Sequence, residues 1–212
     1  MKIPEQVNDL QELVADYAGL IFYPLSARCV DFNNTELRKN MLALSIKKIG
    51  VFVNETPEQV IDISRAFGIQ MVQLHGHESV DTCRQIRASF PLIKAFRINA
   101  TDDVDQMVAQ YMESADYFLF DTGNNDHYGG TGKKFDWHLL KNAHIGKPFF
   151  LSGGIGPGDV EALKKFTHPF LFGIDINSRF EIAPGEKNIK SLSLFINAIK
   201  AKAGGNHYKS EL

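Results

Sequence analysis

Asp121 closes the apolar run YFLFD. A carboxylate at the end of a segment built for burial has two uses. It caps a loop or helix, or it works as an acid or base whose pKa partial burial lifts toward neutrality. Asp175 ends a second such run, LFGID, and either meets a substrate or orients a loop by accepting backbone N–H groups. Arg28, in FYPLSARCV, is a bidentate clamp for a carboxylate or phosphate, or an ordinary surface arginine. Gln73 and His75 follow a third apolar run, in VQLHGHES. The imidazole suits acid–base work, ligand contact or loop packing. No cysteine accompanies His75 and His77, so no metal is expected.

Glycines form the second group. In LSGGIGPGDV, Gly153 and Gly154 leave an apolar run, and Gly156-Pro157-Gly158 opens a helical pattern. Glycines admit close backbone approach, and free N–H groups at a helix start favour an anion such as phosphate. The alternative is a tight strand-to-helix turn. GGTG at 129–132 is followed by Lys133 and then Lys134, so it lacks the Ser or Thr of a nucleotide P-loop. It reads as a glycine-rich lid, a second anion contact or a flexible loop.

These residues need elements to hold them. Apolar runs at 19–23, 48–53, 71–74, 92–96, 117–121, 149–152 and 170–174 are rich in Val, Ile, Leu and Phe and lack polar alternation. That is the composition of parallel strands covered on both faces. Each gap has room for one crossover helix. Helical patterns run near 35–46, 56–67, 79–90, 104–111, 136–141, 158–166 and 192–199. Thr56 suits a cap, Pro57 the first turn and Gln59 the capping-box position. Cys83 shares a stripe with Val80, Ile86 and Phe90, which makes it a core residue. The chain opens on a helix, Val7, Leu10, Val14 and Tyr17 or Ala18 sharing a face, with no strand before it. The order is therefore helix, then seven strand–helix units. Seven strands suit an open doubly wound sheet or a (β/α)8 barrel lacking its first strand, and the opening helix favours the barrel; residues 1–203 then read as one barrel domain and 204–212 as a frayed tail. In such a sheet the chemistry gathers at the C-terminal strand ends, where the residues above fall.

Composition narrows the classes. Formal net charge is -2 across 212 residues and no Lys/Arg run exceeds two, so nothing indicates nucleic acid. No apolar run approaches the length of a membrane span, and the first fifteen residues are not a signal peptide. Two distant cysteines fit free thiols and a cytoplasmic setting.

Taken together, GLIFYPLSARCV, GVFVNETPEQV, VQLHGHES, IKAFR, LFDT, GGTGKKFDW, LSGGIGPGDV, GIDINSRFE and PGEKN resemble the phosphoribosylanthranilate isomerase family of tryptophan biosynthesis, in order and spacing. The resemblance covers nearly the whole chain. It implies a (β/α)8 barrel of the α/β class, with no metal or redox cofactor, that is a monomer or homodimer. The implied reaction is an Amadori rearrangement of N-(5-phosphoribosyl)anthranilate to 1-(2-carboxyphenylamino)-1-deoxyribulose 5-phosphate. By the same resemblance Asp121 is the general acid and Arg28 meets the anthranilate carboxylate. The backbone at Gly153, Gly154 and Ile176-Asn177-Ser178 binds phosphate, and Gln73, His75 and Asp175 line the pocket.

Two departures stand out. The family places its base on a Cys-Gly motif at the end of a first strand, and these 212 residues contain no Cys-Gly. MKIPEQV matches the residues immediately after that motif. The expectation is that a strand carrying the base precedes Met1, the rival being a real truncation with an altered base or lost activity. Arg179 stands where the family has glycine, so strain arises if a positive φ is still required, roughly 1–2 kcal/mol. Competing readings are a ribulose-phosphate epimerase, an indole-glycerol-phosphate synthase relative with Lys94 turned inward, or a barrel kept as a scaffold.

Overall fold

Strands without polar faces must be covered on both sides, and the chain supplies the cover by alternation. The computed structural model describes residues 6, 9, 10, 12, 13, 15–122 and 135–201. Seven strands, β1 (Tyr17–Ile21), β2 (Lys47–Phe52), β3 (Met71–Leu74), β4 (Leu92–Ile98), β5 (Tyr117–Thr122), β6 (Phe149–Leu151) and β7 (Leu171–Ile174), form one sheet in chain order. Every neighbouring pair is parallel. Between and after them run α1 (Thr35–Ala43), α2 (Pro57–Phe67), α3 (Val80–Arg87), α4 (Val104–Ala109), α5 (His138–Lys141), α6 (Val160–Lys165) and α7 (Ile189–Lys200).

The period of two along each strand sorts the side chains into two cores. Val72, Leu74, Leu92, Phe96, Phe118, Phe120, Phe149 and Leu151 face the helices and join the larger cluster. Ile49, Met71, Ile93, Ala95, Tyr117, Leu119 and Phe150 face the other way and form the inner cluster. The inner cluster also reveals the curvature. Tyr17 of β1 and Phe150 of β6 have ring centroids 6.4 Å apart. In a flat sheet, five strand steps would separate them by about 24 Å. The sheet is therefore curled into a half-barrel, with the α/β architecture that the sequence implies. No ladder joins β7 to β1 among the described residues.

Local signals hold up well. Thr56 caps α2 through its hydroxyl and Gln59 N–H, Pro57 opens the helix, and Gly68 ends it at φ 59°. Cys83 is fully buried, and burial pushes its thiol up to about 11. Leu10 is buried and Gln6, Asp9, Leu10 and Glu12 are helical, as the opening pattern suggests. Val7, Val14, the GGTGKK segment within 123–134 and the tail beyond 201 lie outside the described residues.

Differences from expectation are specific. β1 begins two residues early, at Tyr17, and α1 ends at Ala43. β4 runs on through Arg97 and Ile98, which pair with Asp121 and Thr122. The helix after β6 starts as a 3-10 turn at Pro157–Asp159. A hairpin of β8 (Glu181–Ala183) and β9 (Glu186–Lys187) was not expected at all. Arg179 carries no strain, because Asn54 is the sole non-glycine with positive φ among the described residues.

Candidate active site

Alternation along β5 places Tyr117, Leu119 and Asp121 on the inner face, with Asp121 at the C-terminal end. The same rule on β3 turns Gln73 inward beyond Met71, and on β6 Ser152 inward beyond Phe150. β3, β5 and β6 thus deliver polar groups to one rim.

Asp121 is held by a hydrogen bond at one oxygen and approached by an imidazole at the other. Oδ1 accepts the Thr122 N–H at 2.7 Å, and Oδ2 lies 3.4 Å from His75 Nε2. His75 Nε2 is buried and makes no hydrogen bond. On the other ring nitrogen, Gln73 Nε2 donates to Nδ1 at 2.9 Å. An amide nitrogen can only donate, so the ring proton of a neutral imidazole sits on Nε2, toward Asp121. Gly153 makes room for this arrangement. Its φ is 91°, and a Cβ there would lie 2.6 Å from Thr122 N and 3.1 Å from Asp121 Oδ1. The first glycine of LSGGIGPG therefore serves the neighbouring carboxylate as much as any anion.

Beside it, Ser152 Oγ donates to Asp175 Oδ2 at 2.8 Å. Burial raises the Asp175 carboxyl, Ser152 opposes this, and the Asp121 charge adds to the rise. Gly154, at φ 66°, continues the turn after β6. Ile176, Asn177 and Ser178 follow β7, and Ser178–Phe180 is a 3-10 turn. The two loops touch, since a Cβ on Gly156 would meet Arg179 Cβ at 3.4 Å. Gly156 N–H itself donates to Asp159 Oδ2 at 2.7 Å. Gly153, Gly154 and residues 176–178 therefore line adjacent loops at the last two strands.

Arg28 follows β1 on the far side of the curl, and it is not a lone surface arginine. Its Nε and Nη2 donate to the Glu181 carboxylate at 2.6–3.0 Å. Glu181 also accepts from Lys187 Nζ at 3.1 Å, and Lys187 donates to the Asn177 carbonyl at 3.2 Å. Sequence reasoning missed Glu181 and Lys187, although GIDINSRFE and PGEKN contain them. Nothing local marks a contact that spans 153 residues.

Lys94 is turned away from the pocket. It faces the helices and pairs with Glu78 at 2.8 Å, both side chains being nearly inaccessible. It also donates to the Gly76 carbonyl at 2.8 Å, while Gly76 N–H donates back to Glu78 Oε1 at 2.9 Å. Lys94 therefore braces the loop that carries His75. The synthase reading with an inward lysine loses its support.

The comparisons agree with this geometry. A family model described as N-(5'phosphoribosyl)anthranilate (PRA) isomerase matches residues 1–198. An N-(5'-phosphoribosyl)anthranilate isomerase from Parabacteroides distasonis is 41% identical over 201 residues, covering 94% of this chain and 90% of that protein. The crystal structure of phosphoribosyl anthranilate isomerase from Thermotoga maritima has a TM-score of 0.83 at 32% identity, covering 95% of this chain and 96% of that one. A second solved isomerase, in complex with reduced 1-(o-carboxyphenylamino)-1-deoxyribulose 5-phosphate, has a TM-score of 0.79 at 30% identity and covers 95% of each chain. With the matched motifs standing at the rim of a curled parallel sheet, the chain belongs to the N-(5'-phosphoribosyl)anthranilate isomerase family.

Proposed function

We propose that this site acts on N-(5-phosphoribosyl)anthranilate, with Asp121 as the general acid. Asp121 gives its proton to the furanose ring oxygen, the C1–O bond breaks, and the anthranilate nitrogen pushes its lone pair in to form a Schiff base. Loss of the C2 proton to a base then gives the enolamine, which tautomerises to the ketone. His75 Nε2–H faces the carboxylate that Asp121 becomes after it has donated. Backbone N–H groups at Gly153, Gly154 and Ile176–Ser178 receive the phosphate, and Arg28 receives the ring carboxylate. Holding both anions aligns C1 and C2 with the acid. The family resemblance puts the base on a Cys-Gly strand. Cys83 lies on α3, fully buried away from the rim, and Cys29 lies in the loop after β1.

The observation that carries this reading is Asp121 itself, inward at a strand end, hydrogen-bonded at Oδ1, with His75 at its other oxygen and beside a glycine that leaves it space. The test monitors the fluorescence of the anthranilate sugar during turnover. It compares the 212-residue chain, a form with a Cys-Gly strand added before Met1, and Asp121→Asn in each. Adding the strand is expected to raise turnover at least about 100-fold, and Asp121→Asn to remove about 100- to 10,000-fold. Full turnover in Asp121→Asn would sink the acid assignment.

A further inference from the structure

Arg28 is held before any substrate arrives. A guanidinium has a side edge, Nε and Nη2, and an end edge, Nη1 and Nη2. Glu181 fills the side edge, with Nε at 2.8 and 3.0 Å from its two oxygens and Nη2 at 2.6 Å from Oε2. The end edge is the one left for a second carboxylate. Glu181 has little freedom to let go, because its side chain is 4% exposed and Oε1 also accepts from Lys187 Nζ and from Gly185 N–H at 3.2 Å. Lys187 is itself fixed. Its side chain is 6% exposed, and Gln6 brackets its backbone, accepting its N–H at 2.8 Å and donating to its carbonyl at 3.2 Å. A swing of Glu181 would strand a buried ammonium, which is costly. Burial alone would raise the Glu181 carboxyl, yet Arg28 and Lys187 together hold it below its usual range. Arg28 and Lys187 thus share the Glu181 carboxylate, and Asp175 also acts on Lys187 through charge.

We propose that Glu181 is a positioning residue that selects for the ring carboxylate of the substrate, by fixing the Arg28 fork with its end edge presented. The inference rests on the substrate reading above. It separates Glu181 from a mere brace of the hairpin, because a brace supports every ligand equally.

Calorimetry with two ligands tests it. One is reduced 1-(o-carboxyphenylamino)-1-deoxyribulose 5-phosphate and the other its counterpart without the ring carboxylate. The proteins are the wild type, Glu181→Gln, and the double variant Glu181→Gln/Lys187→Met, which removes one charge of each sign and so spares the fold an unpaired ammonium. The wild type is expected to prefer the carboxylated ligand by about 10-fold or more, the yield of one charge-assisted contact. In both variants that preference is expected to fall below about 3-fold while the second ligand keeps its affinity. Variants that weaken both ligands alike and keep the preference would overturn the inference alone. A wild type that binds neither ligand would overturn the substrate reading, and the inference with it.

Discussion

Gly153 shows how tightly the site is drawn at the level of single atoms. A methyl group there would press on Thr122 N and Asp121 Oδ1, and the backbone sits at φ 91°, where side chains are strained. Gly153→Ala is expected to cost about 1–3 kcal/mol of stability from the backbone alone. It is also expected to cut turnover by displacing the acid, so that the loss appears in kcat more than in KM. Thermal unfolding and steady-state kinetics together check this. A variant with ordinary stability and full kcat would mean that the glycine is not keeping space for Asp121. The sequence offered two readings of this residue, a close approach to an anion and a tight turn. It could not offer the third, contact with a carboxylate on another strand, because Asp121 lies 32 positions earlier and meets it only through the β5–β6 ladder.

Among the elements, the loop after β3 depends on a brace hidden behind the sheet. Burial alone would raise the Glu78 carboxyl, but Lys94 and the backbone N–H of Asn54 hold it below its ordinary 4.5. A carboxyl depressed in the native state binds its proton less tightly than the unfolded chain does. Its contribution is therefore fully present above about pH 4.5 and is lost as pH falls through the native value. Glu78→Gln leaves Lys94 buried without its countercharge and is expected to cost about 3–5 kcal/mol near neutrality. Urea unfolding at pH 7 and at pH 4 is expected to show the gap to wild type narrowing on acidification. A gap that stays constant would mean that the pair contributes no pH dependence. Strands and helices were legible at this level because each carries its own signal: apolar runs for β1–β7, Thr56-Pro57 for the start of α2, the buried stripe of α3. Boundaries slipped where pairing with a neighbour outvoted local composition, as at Arg97 and Ile98. The β8–β9 hairpin was invisible because its three- and two-residue strands have no pattern of their own, and Glu181 and Lys187 went unseen with it. Arg28, Asp121, Gln73 and His75 stood out by falling at strand ends. Their mutual contacts did not, since those depend on the curl.

As a whole molecule, the described sheet is a curled ribbon with a strand of one neighbour at each end. β7 is only half-buried along its whole length, and β1 exposes Gly19. Sheet edges left only partly covered invite pairing with other chains. The 212-residue chain is expected to self-associate with rising concentration in sedimentation velocity, and the form with an added strand to do so less. A monodisperse species across a 100-fold range of about 1–100 μM would contradict this.

The Arg28–Glu181 contact also has a place in time. Its partners are 153 residues apart, and Gln6 meets Lys187 across 181. A ribosome adding roughly 5–20 residues each second needs on the order of ten to thirty seconds to pass from one to the other. Through that interval β1 to β5 can already pair with their neighbours, while Arg28 waits without its counter-ion. The carboxylate site is thus among the last things the nascent chain completes.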